Sequence, residues 1–286
     1  MPDARSMCLV AGKLVGIAYL GLMAAGSAFA GQRDMIPSCY DKLTLEKPKG
    51  GLKREVFVLI DQTTAVDDER KASLTEDVVK KFTGGTAITV MTFSAFISNH
   101  YASLQFSGVL DRAPTQDERD DLPKRKLRDL DRCLTEQAQY GRMYVTKVMT
   151  EGFGNPNQDI ARSDIFSTLK DVSVNVVKIS PASQKDVLLI SDMLENSSIT
   201  SFYAKNAVRR VDPTAELAKV DGFGDFGGAS IYVAGAGTIS VSGKKQIETY
   251  RDPKTMDALE TFWQSYFAKS SGNLIIFGKP ALMGRF

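Results

Sequence analysis

Short apolar runs alternate along the chain with longer stretches in which apolar residues recur every three or four positions. Glu55 to Ile60 is a compact apolar run that stops at Asp61, as expected of a strand buried on both faces. From Asp67 to Phe82, Ala72, Val78, Val79 and Phe82 stand among charged residues, which predicts an amphipathic helix. Gly84 and Gly85 end it, and Thr86 to Ser94, rich in β-branched residues, reads as a second strand. Leu104 to Leu110 reads as a third, at a sheet edge.

Thr115 to Arg132 is dense in charges of both signs, the pattern of a solvated helix face rather than a binding patch. Helix is expected to continue to about Val148, with Pro123 the position where it would break. After a loop carrying Gly152, Gly154 and Pro156, the pattern predicts a helix from Ser163 to Val177 and a strand from Asp186 to Ile190. Helices are expected over Thr200 to Val211 and Thr214 to Val220, a strand over Ala229 to Ala234, and an amphipathic helix from Lys254 to Lys269. Asn273 to Phe277 would be the last strand. Strands alternating with helices define an α/β class: a doubly wound, mostly parallel central sheet with helices on both faces. One domain, residues 55–286, accounts for all of it, and no repeat of 20–50 residues is present.

The first thirty residues follow a different rule. Arg5 and Lys13 precede an apolar run from Leu14 to Ala25, and Ser27-Ala28-Phe29-Ala30 supplies an A-x-A end. These are the parts of a secretory signal peptide, here residues 1–30, and the run is shorter than the ~20 residues a membrane span needs. Residues 31–54 read as an extended lead-in. Export to the periplasm or the extracellular medium follows, with no membrane span in the mature chain. Cleavage would remove Cys8 and leave Cys39 and Cys133, so a Cys39–Cys133 bridge is expected in an oxidising compartment. Two unrelated buried thiols are the alternative.

Composition narrows the function. The 286 residues carry 36 Lys and Arg against 34 Asp and Glu, a formal charge of +2, which gives no electrostatic reason to expect nucleic acid as a partner. One histidine and three cysteines cannot supply a His/Cys zinc site at any plausible spacing. Gly222, Gly224 and Gly227 match G-x-G-x-x-G as a string, but they precede a strand, whereas a dinucleotide fingerprint follows a strand and opens a helix. His100 stands without a nucleophile elbow, so a Ser-His-Asp hydrolase is not indicated.

In doubly wound sheets, ligands bind beyond the carboxyl ends of the strands, where the strand order reverses. Asp61 and Asp192 each follow a predicted strand there. Asp61-Gln62-Thr63-Thr64-Ala65 surrounds the first, and Arg162-Ser163-Asp164-Ile165 opens the helix between them. Carboxylates and hydroxyls from three loops form an all-oxygen set of the kind that suits a hard cation such as Mg2+.

At these residues the chain resembles the von Willebrand factor A family, whose metal-ion-dependent adhesion site combines D-x-S-x-S with a Thr and an Asp from later loops. The resemblance implies Asp61 as the first acid, Thr63 as the first hydroxyl, Ser163 in place of the Thr, and Asp192 as the later Asp. Ala65 stands where the second Ser belongs, which implies a weakened metal site or a water in that position. Thr64 would point elsewhere if the loop keeps the family's path. The implied function is an exported protein-binding module without enzymatic activity. It would hold another envelope or extracellular protein at the carboxyl-end face of the sheet, with Mg2+ as its one implied cofactor. A metal-free scaffold subunit of an envelope assembly is the alternative, and a metal-assisted phosphoesterase using Asp61 and Asp192 a further one.

Overall fold

The computed structural model describes residues 35–97, 100–153, 163–204, 207–238 and 252–278. The signal-peptide reading of residues 1–30 lies outside the described residues. A central sheet has the order β3-β2-β1-β4-β7-β8. Its strands are β1 (Arg54–Asp61), β2 (Thr86–Ile97), β3 (His100–Val109), β4 (Gln184–Ile190), β7 (Ser230–Ala234) and β8 (Asn273–Phe277). β1 pairs in parallel with both β2 and β4, so the strand order reverses between β1 and β4. Of the described strands in this sheet, only β3 runs antiparallel, at the edge. The sheet is therefore mixed, as the doubly wound α/β class allows.

Alternation along the strands sorts the core into two layers. Phe57 and Leu59 of β1, with Val187 and Leu189 of β4, face a layer formed by α5 (Ile165–Val172) and α7 (Pro253–Lys269). Val56, Val58 and Ile60, with Leu188 and Ile190, face α2 (Asp68–Lys81) and α4 (Lys124–Gly152). Each helix presents the apolar stripe its sequence period specifies. On α7 that stripe is Leu259, Phe262, Trp263, Tyr266 and Phe267, all buried. Trp263 finds a partner for its indole N–H in the carbonyl of Met193, 2.9 Å away, which fixes the loop after β4.

Several expectations are corrected. Thr200 to Val211 is not a helix: β5 (Tyr203–Ala204) and β6 (Ala207–Val208) form a two-stranded antiparallel ribbon there. The aromatic and β-branched residues Phe202, Tyr203, Val208 and Val211 favour extended backbone, and Phe202 and Val211 are buried in the α5–α7 layer. The following helix, α6 (Pro213–Leu217), is shorter than predicted, with Asp212 capping the amides of Thr214 and Ala215. The Ser163 start moves to Ile165, because Asp164 is the N-cap, and the last turn (Ser173–Val177) widens into a π-helix. The break expected at Pro123 is present: the short α3 (Gln116–Asp120) ends before it, and Pro123 stands at the N-cap of α4.

The lead-in is not simply extended, and it is not peripheral. It contains α1 (Cys39–Leu43), and Ile36 is buried in the same layer as α2 and α4. Cys39 and Cys133 form the expected disulfide, with Cα atoms 5.8 Å apart. Around it Tyr40 and Leu130 make a small satellite core. The Asp111 carboxylate takes the backbone N–H of Cys39 at 2.6 Å and the Gln137 amide at 3.0 Å, so buried polar groups tie the lead-in to α4.

Ile36 fits only because Gly108 and Gly141 leave room for it. A Cβ on Gly141 would stand 2.9 Å from both Ile36 and Phe82 and 3.0 Å from Leu110. Gly141→Ala is therefore expected to lower the urea-unfolding free energy by about 1–2 kcal/mol, overpacking outweighing the ~1 kcal/mol that alanine gains in a helix. An unchanged or raised midpoint would show that Ile36 can shift without cost.

Candidate functional site

β1 delivers Asp61 to the carboxyl edge of the sheet, at the switch point beside β4. The tight turn that follows, Asp61 to Thr64, is closed by the Thr64 N–H on the Asp61 carbonyl at 3.2 Å. Asp61 is 1% exposed. Its Oδ1 accepts the Thr63 N–H at 2.9 Å and the Thr63 hydroxyl at 2.6 Å. Its Oδ2 accepts the Ser191 hydroxyl at 2.8 Å and lies 3.4 Å from that of Ser163. Three chain segments thus converge on one carboxylate. Burial pushes its proton affinity up, while hydrogen bonds from Thr63, Ser191 and Thr64 pull it back.

Asp61, Thr63 and Ser163 come together, as the sequence placed them. Asp192 reaches the cluster through its backbone: its N–H donates to the Thr64 hydroxyl at 2.9 Å. Its carboxylate is held elsewhere, Oδ1 by the Leu194 N–H at 2.9 Å and Oδ2 by the Tyr203 hydroxyl at 2.6 Å. The Thr64 hydroxyl thus lies between the Asp61 carboxylate and the loop after β4. Gly235 brings the end of β7 close: a Cβ there would sit 3.3 Å from the Ser191 carbonyl, and its φ is +96°.

Ser191 is the residue that sequence reading missed. The signal was available: Leu59 and Leu189 pair across β1 and β4 and share a face, and two residues on from each come Asp61 and Ser191. Met193 follows at φ +57°, a strained conformation for a side chain of its size, held by Trp263 and by its own N–H on the Ser191 hydroxyl at 3.0 Å.

Glu195 is the second omission. Fully buried, it caps α5 from outside the helix, its Oε2 accepting the N–H groups of Ile165 at 2.9 Å and Phe166 at 3.1 Å. Its Oε1 has no hydrogen-bond partner among the described residues. Desolvation raises its pKa to about 8, with Asp164 adding to the rise and hydrogen bonds from Ser197 and the two amides opposing it. No sequence pattern marks it, because it acts across thirty residues of chain.

The remaining motifs fall as expected or outside reach. Gly222, Gly224 and Gly227 lie in a loop before β7. His100 starts β3, and its side chain is outside the described residues. Among the described residues, no three His, Cys, Asp or Glu side chains group as a metal site would require. No helix among them is long and apolar enough to cross a membrane.

Fold and site together define a doubly wound α/β domain with a polar cluster at its switch point. No protein-family model and no curated protein matches the sequence. Similar solved structures include an aerotolerance-related membrane protein from Bacteroides fragilis NCTC 9343 carrying multiple mutations to serines. It has 11% identity and a TM-score of 0.38, over 79% of this chain and 92% of that one. Another is BatB, a conserved hypothetical protein from Bacteroides thetaiotaomicron, with 10% identity and a TM-score of 0.34, over 80% of this chain and 91% of that one. At such identities and scores the function of neither transfers to this chain.

Proposed function

We propose that this chain is an exported protein-binding module that engages another envelope protein through the carboxyl-end rim of its sheet, without a resident cation. The Asp61 cluster carries the reading. Its carboxylate is buried and accepts an amide and hydroxyls from three segments, which makes the rim a preorganised surface at the place where this fold class binds ligands. The Cys39–Cys133 bridge supports an oxidising compartment.

The donor set does not suit Mg2+, which favours six oxygens in near-octahedral array and carboxylate charge to offset its own. Among the described residues one carboxylate faces the cluster, Asp192 accepts from Tyr203 and Leu194, and Ala65 offers no side-chain oxygen. Those same arrangements argue against the metal-assisted phosphoesterase.

Capture from envelope extract, with and without EDTA, tests the reading. Wild type should retain its partner in EDTA, whereas Gln62→Arg, which places a bulky charge on the half-exposed residue beside Asp61, should lose at least tenfold of it. Capture abolished by EDTA and restored by Mg2+ would return the cation to the site. Capture unaffected by Gln62→Arg would move the interface to another face.

A further inference from the structure

Beside the Asp61 cluster, a cavity of about 110 Å3 opens between the β1–α2 turn and the end of β7. Its apolar lining comes from Val66, Leu74, Ile190 and Ala234, and Ala65 contributes a methyl where the resemblance would put a hydroxyl. One water needs about 10–15 Å3 of such space, so the cavity has room for a side chain of several non-hydrogen atoms.

Two polar features give the cavity a chemical preference. Thr238 lines it and is 9% exposed, yet its hydroxyl has no hydrogen-bond partner among the described residues. A buried hydroxyl left without a partner is unfavourable, so this one is available to an incoming group. Arg70 and Asp77 also line the cavity, and Arg70 pairs with Asp67 at 3.2 Å. Asp77 in turn lies 4.0 Å from Lys80, so each charge at the opening already has a counter-charge, and neither a bare carboxylate nor an ammonium gains one by entering.

We propose that this cavity receives a short uncharged amide side chain, Asn or Gln, from the partner protein. The side chain's methylenes rest on Val66, Leu74 and Ile190, and its amide exchanges a hydrogen bond with Thr238. The assignment rests on the binding-module reading, because the amide is the partner's. It gives Ala65 a role: the methyl leaves room that a larger side chain would fill. Position adds weight, since β1, β4 and β7 all end here, at the reversal of strand order.

Propionamide, with five non-hydrogen atoms, is the probe. In methyl NMR of the folded protein it should give saturable shifts at Ala65, Val66 and Thr238 with millimolar affinity. Propionate should bind at least tenfold more weakly, and so should propionamide to Thr238→Val, which keeps the shape and removes the hydroxyl. Ala65→Leu should abolish the shifts and, with its fold verified by the remaining methyl spectrum, reduce partner capture at least tenfold. No saturable shift in wild type, or equal affinity in Thr238→Val, would overturn the proposal. Propionamide binding with capture unaffected by Ala65→Leu would overturn the assignment to a partner's side chain. If Gln62→Arg still abolished capture, the rim reading would survive that loss.

Discussion

Replacing Cys39 and Cys133 together by serine is expected to lower stability by about 4–5 kcal/mol, on the chain-entropy estimate for a loop of this size. The cysteines are 94 positions apart, so the bridge removes a large share of the unfolded chain's freedom. For a domain of this length, the midpoint of thermal unfolding should fall by roughly 10 °C or more. Calorimetry of the oxidised protein, the reduced protein and the double variant measures it. The reduced protein and the variant should agree, since both lack the same constraint. A reduced protein as stable as the oxidised one would show that the satellite core around Tyr40 and Leu130 holds the lead-in by packing alone.

The second large effect is a pH dependence set by Glu195. Its carboxyl titrates near 4.5 when exposed and at about 8 in the folded protein, so between these values the native state binds the extra proton. Stability is then greatest below the unfolded value and falls as pH rises through the window, by about 3–4 kcal/mol between pH 5 and pH 8. Asp61, also raised by burial, acts in the same sense. Glu195→Gln keeps an acceptor for the Ile165 and Phe166 amides and removes the titration. Urea midpoints of wild type should decline over that range, while those of Glu195→Gln should decline far less. Parallel slopes would assign the dependence to other groups.

Much of this architecture was legible because it rests on local pattern. The run from Glu55 to Ile60 specifies a strand through its neighbours alone, and the stripe on Lys254 to Lys269 specifies the face that α7 buries. Thr200 to Val211 departs from its local pattern because burial of Phe202 and Val211 fixes its ends, a tertiary effect that overrides a short apolar period. At the site, Asp61, Thr63 and Ser163 were visible as oxygen-bearing residues at element boundaries. The partition between Ser191 and Asp192 was not, because it depends on which of two adjacent residues faces the α5–α7 layer, and a shift of one position exchanges them. Glu195 was illegible for another reason: its partners are backbone amides, which every residue but proline possesses.

The seat of Ile36 between Gly108 and Gly141 has a kinetic consequence. In the reduced chain, that contact must be found across the stretch from residue 36 to residue 141. Once Cys39 and Cys133 are joined, Ile36 lies three residues from one end of the bridge and Gly141 eight from the other. Oxidation therefore converts a search over a long loop into closure of a short one, the kind of change that shortens effective contact order and speeds folding. The thiol chemistry would set the clock for assembly of the α2–α4 layer, and refolding from the oxidised state should outpace refolding from the reduced one.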